Sequence, residues 1–228
     1  MRAALPLLLG LAGPACAEVS FVREDGRPVY GHAVLGDTPE WHGLQALRPD
    51  GSRAVLMLPP DRIFEDIAPR RAELDGDAGV EIVVVESAFD EGAALAVYEL
   101  TPEGLRLEAR TDPIGRRNRW LAPVGIADLD GDGRIELAYV ETPHIGGTLR
   151  VWRLEAGALV QVAMLPGVSN HRIGQAHIPG GIADCPGGPV MLMADARWRT
   201  GLAVRLLADG TLDAAPVPLA ALDALACP

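Results

Sequence analysis

Four glycine-containing turns recur at a constant interval along this chain, and they limit the folds open to it. Each turn lies between two short segments in which apolar and polar residues alternate, a pattern typical of a strand, a tight turn and a second strand. The turn glycines are Gly51, Gly104, Gly157 and Gly210, so that successive turns are 53 residues apart. Glycine readily adopts the positive φ that hairpin turns require. The sequence therefore predicts four hairpins in a repeating β structure.

A second repeated segment precedes the last three of these hairpins. ELDGDAGVEIVVV, which begins at Glu73, and DLDGDGRIELAYV, which begins at Asp128, align without gaps. A third copy around Asp184 has lost two residues in its loop. Each copy continues into an apolar run of strand-forming residues, at 82–85, 137–140 and 190–194.

The two repeated segments together predict about four short strands in every unit of 53 residues. In the first unit, residues 30–35 and 43–47 are the predicted strands before the hairpin, with no acidic loop between them. A four-stranded antiparallel sheet repeated at such an interval is typical of a propeller blade. We therefore predict an all-β fold, a small β-propeller of about four four-stranded antiparallel blades. The predicted single domain covers 18–228, in units of approximately 18–65, 66–118, 119–172 and 173–228. A β-sandwich or an open β-solenoid is the alternative, and the pattern does not decide whether the ring is closed.

The first seventeen residues have the features of a signal peptide. Arg2 gives a positive start, an apolar stretch too short to span a bilayer follows, and small residues precede a cleavage site after Ala17. The alternatives are a buried N-terminal helix and a lipoprotein in which Cys16 is the first mature residue. We expect a periplasmic or secreted protein with no transmembrane segment in the mature chain. We also expect it to be a monomer.

Export changes the interpretation of the cysteines. Once the signal peptide is removed, Cys185 and Cys227 are the two that remain, and an even number in an oxidising compartment indicates a disulfide. Two free buried thiols are the alternative. The predicted disulfide would attach the C-terminus to the last repeat.

The Asp128 loop concentrates hard oxygen donors in one turn. Carboxylates stand at loop positions 1, 3, 5 and 9, and a main-chain carbonyl is available at position 7; the candidate ligands are Asp128, Asp130, Asp132, Arg134 and Glu136. Such a set suits Ca²⁺, which takes six to eight oxygen ligands, better than Zn²⁺. An EF-hand would need a bidentate Glu at position 12, where Tyr139 stands. An acidic turn without an ion is the alternative.

These loops resemble the FG-GAP or VCBS repeats of integrin-type β-propellers. The resemblance covers 123–154 and 68–100 and is weaker at 178–207, whereas 28–58 shares only the period. It implies a Ca²⁺ site between the first two strands of a blade. In the second loop the corresponding ligands would be Glu73, Asp75, Asp77, Gly79 and Glu81. That loop has Glu at its first position and Ala78 in place of a turn glycine, so weaker binding is expected there.

Sequence motifs of enzymes are not found in this chain. It has no G-x-S-x-G elbow, no phosphate-binding loop, no H-E-x-x-H and no C-x-x-C. The five histidines are scattered over three of the four units, and hydrogen-bonded or surface roles are the plainer interpretation. The net charge of −11 argues against a nucleic-acid partner. We therefore predict a non-enzymatic binding or scaffold protein; an exported hydrolase or a carbohydrate-binding module on the same frame is the alternative.

A basic, aromatic cluster stands out against the acidic background. We predict that it forms a rim for an anionic glycan, a carboxylate or an acidic partner protein. The alternative is that these arginines neutralise the acidic loops of neighbouring blades. The candidate rim residues are Arg116, Arg117, Asn118, Arg119, Trp120, Asn170, His171 and Arg172.

Overall fold

The computed structural model describes residues 18–77 and 79–228. The predicted signal peptide and Ala78 lie outside the described residues. The described part is almost entirely β structure, with one short helix, α1 (Ala220–Ala224), near the C-terminus. No helix in it is long and apolar enough to cross a membrane. The prediction of an all-β fold is confirmed.

The strands form four antiparallel sheets that follow one another along the chain. Sheet 1 consists of β1 (Glu18–Val22), β2 (Gly43–Leu47) and β3 (Arg53–Met57). Sheet 2 consists of β4 (Arg62–Phe64), β5 (Arg70–Ala72), β6 (Glu81–Ala88), β7 (Gly92–Thr101) and β8 (Gly104–Arg110). Sheet 3 consists of β9 (Leu121–Ala127), β10 (Glu136–Glu141), β11 (Thr148–Glu155) and β12 (Ala158–Pro166). Sheet 4 consists of β13 (Val168–Ser169), β14 (Gly181–Cys185), β15 (Gly188–Asp195), β16 (Gly201–Leu206) and β17 (Leu212–Val217).

The four turn glycines occupy the same place in each sheet. They lie in or at the β2–β3, β7–β8, β11–β12 and β16–β17 turns, and all four have positive φ. Sheets 2 and 3 also share an irregularity of register between their last two strands, at Val97/Tyr98 and at Val151/Trp152. The repeat read from the sequence is therefore a repeat of structure. Two short strands extend past the approximate unit limits, since β4 pairs within sheet 2 and β13 within sheet 4.

One strand prediction was wrong. Residues 30–35 form turns and irregular backbone, so sheet 1 has three strands rather than four. Gly31 and Ala33 have φ of 71° and 50°, values incompatible with an extended strand. The amides of Tyr30 and Gly31 donate to the carboxylate of Glu40 at 2.9 and 2.6 Å instead of to a neighbouring strand. Tyr30 is nevertheless buried, so this segment contributes to the packed interior of the protein.

Apolar side chains pack each sheet against the next. Leu44 of sheet 1 joins Ile82 and Val84 of sheet 2 in one cluster, and Val85 of sheet 2 joins Leu121 of sheet 3 in another. A third cluster unites sheet 3 with sheet 4, and the alternate residues of β15 face the other way, towards α1. The sheets thus stack in series, as propeller blades do.

The two ends of this series meet through loops. The amide of Gly174 donates to the carbonyl oxygen of Val34 at 3.0 Å, which joins the loop between β13 and β14 of sheet 4 to the segment between β1 and β2 of sheet 1. Within the described residues, no buried apolar cluster contains side chains of both sheet 1 and sheet 4. The far face of sheet 4 packs against Ala221 of α1, while Val55 and Met57 of sheet 1 are exposed. The ring is therefore bridged by loop contacts rather than closed by sheet packing.

Candidate functional site

The Asp128 loop connects β9 to β10 and brings three carboxylates together. Oxygen atoms of Asp128, Asp130 and Glu136 all lie within 4.8 Å of one another. Glu136 is fully buried at the start of β10, and its carboxylate accepts a hydrogen bond from the amide of Leu129 at 2.7 Å. Burial raises the pKa of Glu136, while this hydrogen bond and the guanidinium of Arg153 lower it.

Arg153 is the cation that faces these carboxylates. It lies on β11, directly opposite Glu136 in the strand register. Its Nε donates to Glu136 at 2.7 Å, its Nη2 also contacts Glu136, and the same nitrogen lies 3.4 Å from Asp130 and 3.3 Å from Asp132. The Arg153 side chain is only 6% exposed. The sequence did not indicate this residue, because its approach depends on the pairing of β10 with β11.

Two of the predicted ligands in this loop make other contacts. The carboxylate of Asp132 accepts hydrogen bonds from the Arg134 side chain at 3.0 and 2.7 Å. Asp132 does not belong to the group of converging carboxylates, which contains Asp128, Asp130 and Glu136. The Arg134 side chain extends outward to Glu155 at 3.3 Å.

The Glu73 loop, between β5 and β6, repeats this arrangement. Oxygen atoms of Glu73, Asp75 and Glu81 lie within 4.8 Å of one another. Glu81 is 1% exposed and accepts from the amide of Leu74 at 2.6 Å, as Glu136 does from the equivalent amide. The carboxylate of Asp77 accepts from the amide of Gly79 and lies outside the converging group.

The electrostatics of the two loops differ. Opposite Glu81 in the register stands Glu99, where sheet 3 has Arg153, and Glu99 pairs with Arg106. The pKa of Glu81 is raised to about 7, chiefly by burial; the carboxylates of Asp75, Glu108 and Asp77 also raise it, and the Leu74 hydrogen bond lowers it. The strand register thus places a carboxylate in sheet 2 at the position where sheet 3 has a guanidinium.

The donors of the Glu73 loop fit a hard divalent cation. Three carboxylates converge there, and clustered carboxylate oxygens are the kind of ligand that Ca²⁺ takes. A further carboxylate oxygen, Oε2 of Glu108, is buried on β8 without a hydrogen-bond partner. The Asp128 loop has a similar donor set, but Arg153 already contacts it.

The predicted rim divides into interior and surface residues. Trp120, Asn170 and His171 are at most 2% exposed. The Trp120 Nε1 donates to the carbonyl oxygen of Glu65 at 2.8 Å, and the Asn170 amide donates to two carbonyl oxygens of β9. Trp120, Asn170 and His171 therefore position the sheets and do not form an exposed surface.

The remaining rim residues lie at the surface, and several make internal contacts. The Arg117 guanidinium donates to the Tyr30 carbonyl oxygen at 2.8 Å and lies over the Tyr30 and Phe89 rings. The Arg172 guanidinium lies 4.2 Å from the centre of the Trp198 ring. The Asn118 amide donates to the Tyr30 hydroxyl, Arg116 is exposed, and Arg119 lines a shallow depression.

This depression, of about 70 Å³, lies over Trp120 and two histidines, His32 and His144. His144 Nε2 and His171 Nδ1 are 2.9 Å apart, and His171 Nε2 lies 2.8 Å from the Gln175 carbonyl oxygen. Because a carbonyl oxygen only accepts, His171 Nε2 carries a proton, its neutral ring accepts at Nδ1, and His144 donates from Nε2. The Nδ1 of His144 is then an acceptor.

The pKa of His144 is lowered to about 4, chiefly by burial, and the neighbouring His171 and His32 also contribute to this decrease. His32 is held by the carboxylate of Glu65, which lies 2.7 Å from its Nδ1. Sequence reasoning does not bring these histidines together, because they come from loops far apart in the chain.

The predicted disulfide is present. Cys185, the last residue of β14, is bonded to Cys227, and their Cα atoms are 5.6 Å apart. Cys185 is buried and Cys227 is exposed. The bond holds the C-terminal segment, including α1, against sheet 4.

Distant structural neighbours of this chain are found among solved structures. No family model matches the chain, and no curated protein is similar to it. Among solved structures, the periplasmic gluconolactonase of Pseudomonas aeruginosa is 17% identical, with a TM-score of 0.43 over 87% of this chain. The match covers 63% of the gluconolactonase, so this chain spans less than two thirds of that protein's length.

Proposed function

We propose that this chain is an exported, calcium-stabilised protein with FG-GAP/VCBS-type repeats that acts as a non-enzymatic binding or scaffold protein. One observation carries the calcium part. In two successive sheets, an acidic loop gathers three carboxylates within 4.8 Å, and its buried Glu accepts from the same loop amide. A cation would supply the positive charge that holds such carboxylates together, and the loop would then fix the connection between two inner strands.

The disulfide supports export, because such bonds persist in oxidising compartments. The depression over Trp120 supports a binding role, since exposed side chains of Ile145 and Ile173 border it beside Arg119. A ligand with an anionic group on an apolar body would match the arginine and the two isoleucines. An acidic protein segment with apolar side chains meets that description, and an anionic glycan matches the arginine alone.

Thermal melting tests the calcium part of this proposal. With a dissociation constant of roughly 10⁻⁴–10⁻³ M, 10 mM Ca²⁺ would stabilise the fold by about 1.4–2.7 kcal/mol. For a chain of this size the melting temperature would then rise by roughly 3–10 °C. Mg²⁺ at the same concentration is the control for ionic strength. Equal melting temperatures in Ca²⁺, Mg²⁺ and chelator would contradict the proposal.

An array of anionic and neutral glycans tests the binding part, with the Arg119→Ala variant as a comparison. Binding to anionic members that falls at least tenfold in the variant supports the depression as the binding surface. Binding unchanged by the substitution would place the surface elsewhere.

A second candidate, an exported hydrolase, is favoured by the two histidines in the depression. Each has one ring nitrogen held by a partner, Glu65 for His32 and His171 for His144, and such orientation is typical of a general base. Hydrolysis of a chromogenic ester panel, lost in a His144→Gln variant that still folds, would favour this candidate. Equal hydrolysis by the wild type and the variant would reject it.

A further inference from the structure

A long loop connects β1 to β2 and encloses a cavity of about 430 Å³. The loop covers residues 23–42, whereas the equivalent connections in the other sheets, 89–91, 142–147 and 196–200, are only three to six residues long. A loop of this length without a strand or helix of its own is uncommon in a compact domain and is usually functional. The volume of the cavity lies in the range of small-molecule sites, about 300–1,000 Å³.

The walls of this cavity are largely apolar. Val34, Leu35 and Ile63 line it and are at most 4% exposed. In the described part of the chain, the cavity shares no lining residue with the depression over Trp120. It is therefore a separate candidate site, suited to a ligand with an apolar body.

Hydrogen bonds hold the loop in the shape that forms the cavity. Nη2 of Arg27 donates to the carbonyl oxygens of Leu58 and Pro59 at 2.9 and 2.6 Å, which fastens the loop to the turn after β3. The amide of Glu24 donates to Nδ1 of His42 at 3.1 Å. The cavity is thus preformed by contacts within the protein, as most ligand sites are.

Three carboxylates that line the cavity already accept from protein donors. Both oxygens of Glu40 accept from loop amides. Those of Glu65 each contact a side chain, and those of Asp66 accept from main-chain amides and from Arg70. These carboxylates therefore do not require a donor from a ligand.

Two donors of the cavity lining, in contrast, have no acceptor. His42 is 6% exposed, and because its Nδ1 accepts from the Glu24 amide, the proton of its neutral ring is on Nε2. Burial and the Arg27 guanidinium lower the pKa of His42, which keeps the ring neutral at pH 7. Within residues 18–77 and 79–228, neither His42 Nε2 nor the buried Nε of Arg27 has a hydrogen-bond partner.

Buried donors in proteins nearly always meet an acceptor, so a ligand of this cavity should present one to His42. The charges of the lining disfavour an anion, since Asp and Glu outnumber Arg there by six to two. We propose that the cavity of the 23–42 loop binds a small, neutral, mainly apolar molecule whose acceptor oxygen, such as that of a ketone or an amide, meets His42 Nε2. This site is independent of the acidic loops and of the depression over Trp120.

Fluorescence titration with prodan, a neutral naphthalene that carries a ketone, tests this proposal. We expect the wild type to bind prodan and to shift its emission to the blue, as an apolar site does. His42→Phe keeps an aromatic ring but removes the donor, and it should weaken binding by roughly tenfold or more. His42→Gln keeps a donor and should stay within about threefold of the wild type. The analogue with CH₂ in place of the ketone carbonyl should displace prodan roughly tenfold less effectively than an unlabelled ketone of the same size.

His177→Phe is the matched control, because His177 is exposed in the loop between β13 and β14 and does not line the cavity. It should bind prodan as the wild type does. A wild type that does not bind prodan, or equal binding by the wild type and His42→Phe, would overturn the proposal. Circular dichroism establishes that each variant is folded. Should His42→Phe not fold, ¹⁵N NMR of the wild type replaces it: the His42 Nε2 resonance should shift on addition of prodan, and an unchanged resonance would overturn the proposal.

Discussion

Removing the positive charge of Arg153 should destabilise the protein strongly. In Arg153→Met the aliphatic part of the side chain is retained while Glu136, which is fully buried, loses its guanidinium partner. Breaking one side of a buried ion pair costs about 3–5 kcal/mol, because the remaining charge is left uncompensated. We expect the lower end, about 3 kcal/mol, since Asp132, with a side chain 30% exposed, can be solvated. For a chain of this size the melting temperature should fall by roughly 6–12 °C.

Arg134→Met is the matched control in the same loop. Arg134 also pairs with Asp132, but its side chain is 58% exposed, and exposed ion pairs contribute little to stability. Urea denaturation in chelator, followed by tryptophan fluorescence, compares the two variants with the wild type. Arg134→Met should unfold at nearly the wild-type urea concentration. Equal midpoints for Arg153→Met and Arg134→Met would refute the argument that burial makes Arg153 the counter-ion of this loop.

Three further predictions concern the disulfide, the histidine cluster and the backbone. Replacing Cys185 and Cys227 by Ala should lower the free energy of unfolding by up to about 4 kcal/mol, as expected for a sequence separation of 42. An unchanged midpoint of urea denaturation would contradict a stabilising role for the disulfide. The pKa of His144 is lowered to about 4, so its neutral ring contributes fully to stability above the ordinary pKa of 6.5, and this contribution is lost as the pH falls from 6.5 towards 4. Over that range the melting temperature of His144→Gln should therefore fall less steeply than that of the wild type. Parallel plots of melting temperature against pH would refute this assignment. Gly92→Ala should destabilise the fold more than Gly115→Ala. Both glycines have positive φ, but only a Cβ at Gly92 would overlap a backbone oxygen. Equal melting temperatures of the two variants would show that the overlap relaxes.

The repeat could be predicted because its determinants are local. A turn glycine with positive φ and an alternating strand pattern each depend on a few adjacent residues. The four hairpins could therefore be predicted from short stretches of sequence. The predicted strand at residues 30–35 failed because its backbone amides bond to Glu40, a side chain outside the segment. An apolar pattern alone does not distinguish a buried strand from a buried irregular segment.

The candidate site could be predicted only in part for a similar reason. The acidic loops are contiguous in sequence, so sequence reasoning locates both of them, but Asp132 and Asp77, which it predicts as ligands, lie outside the groups of converging carboxylates. Arg153 was not identified, because it meets Glu136 only when β10 and β11 pair in one register. Trp120 was placed on a rim because arginines surround it in the sequence, whereas packing between sheets buries it. Contacts between strands, rather than composition, decide both outcomes.

Anomalous X-ray scattering from a crystal grown with Ca²⁺ tests the central claim most directly. Data collected at a long wavelength locate calcium independently of how the loops are refined. We predict an anomalous peak at one or both acidic loops, among Glu73, Asp75 and Glu81 or among Asp128, Asp130 and Glu136. No anomalous peak at either loop would contradict the proposal that calcium stabilises this fold.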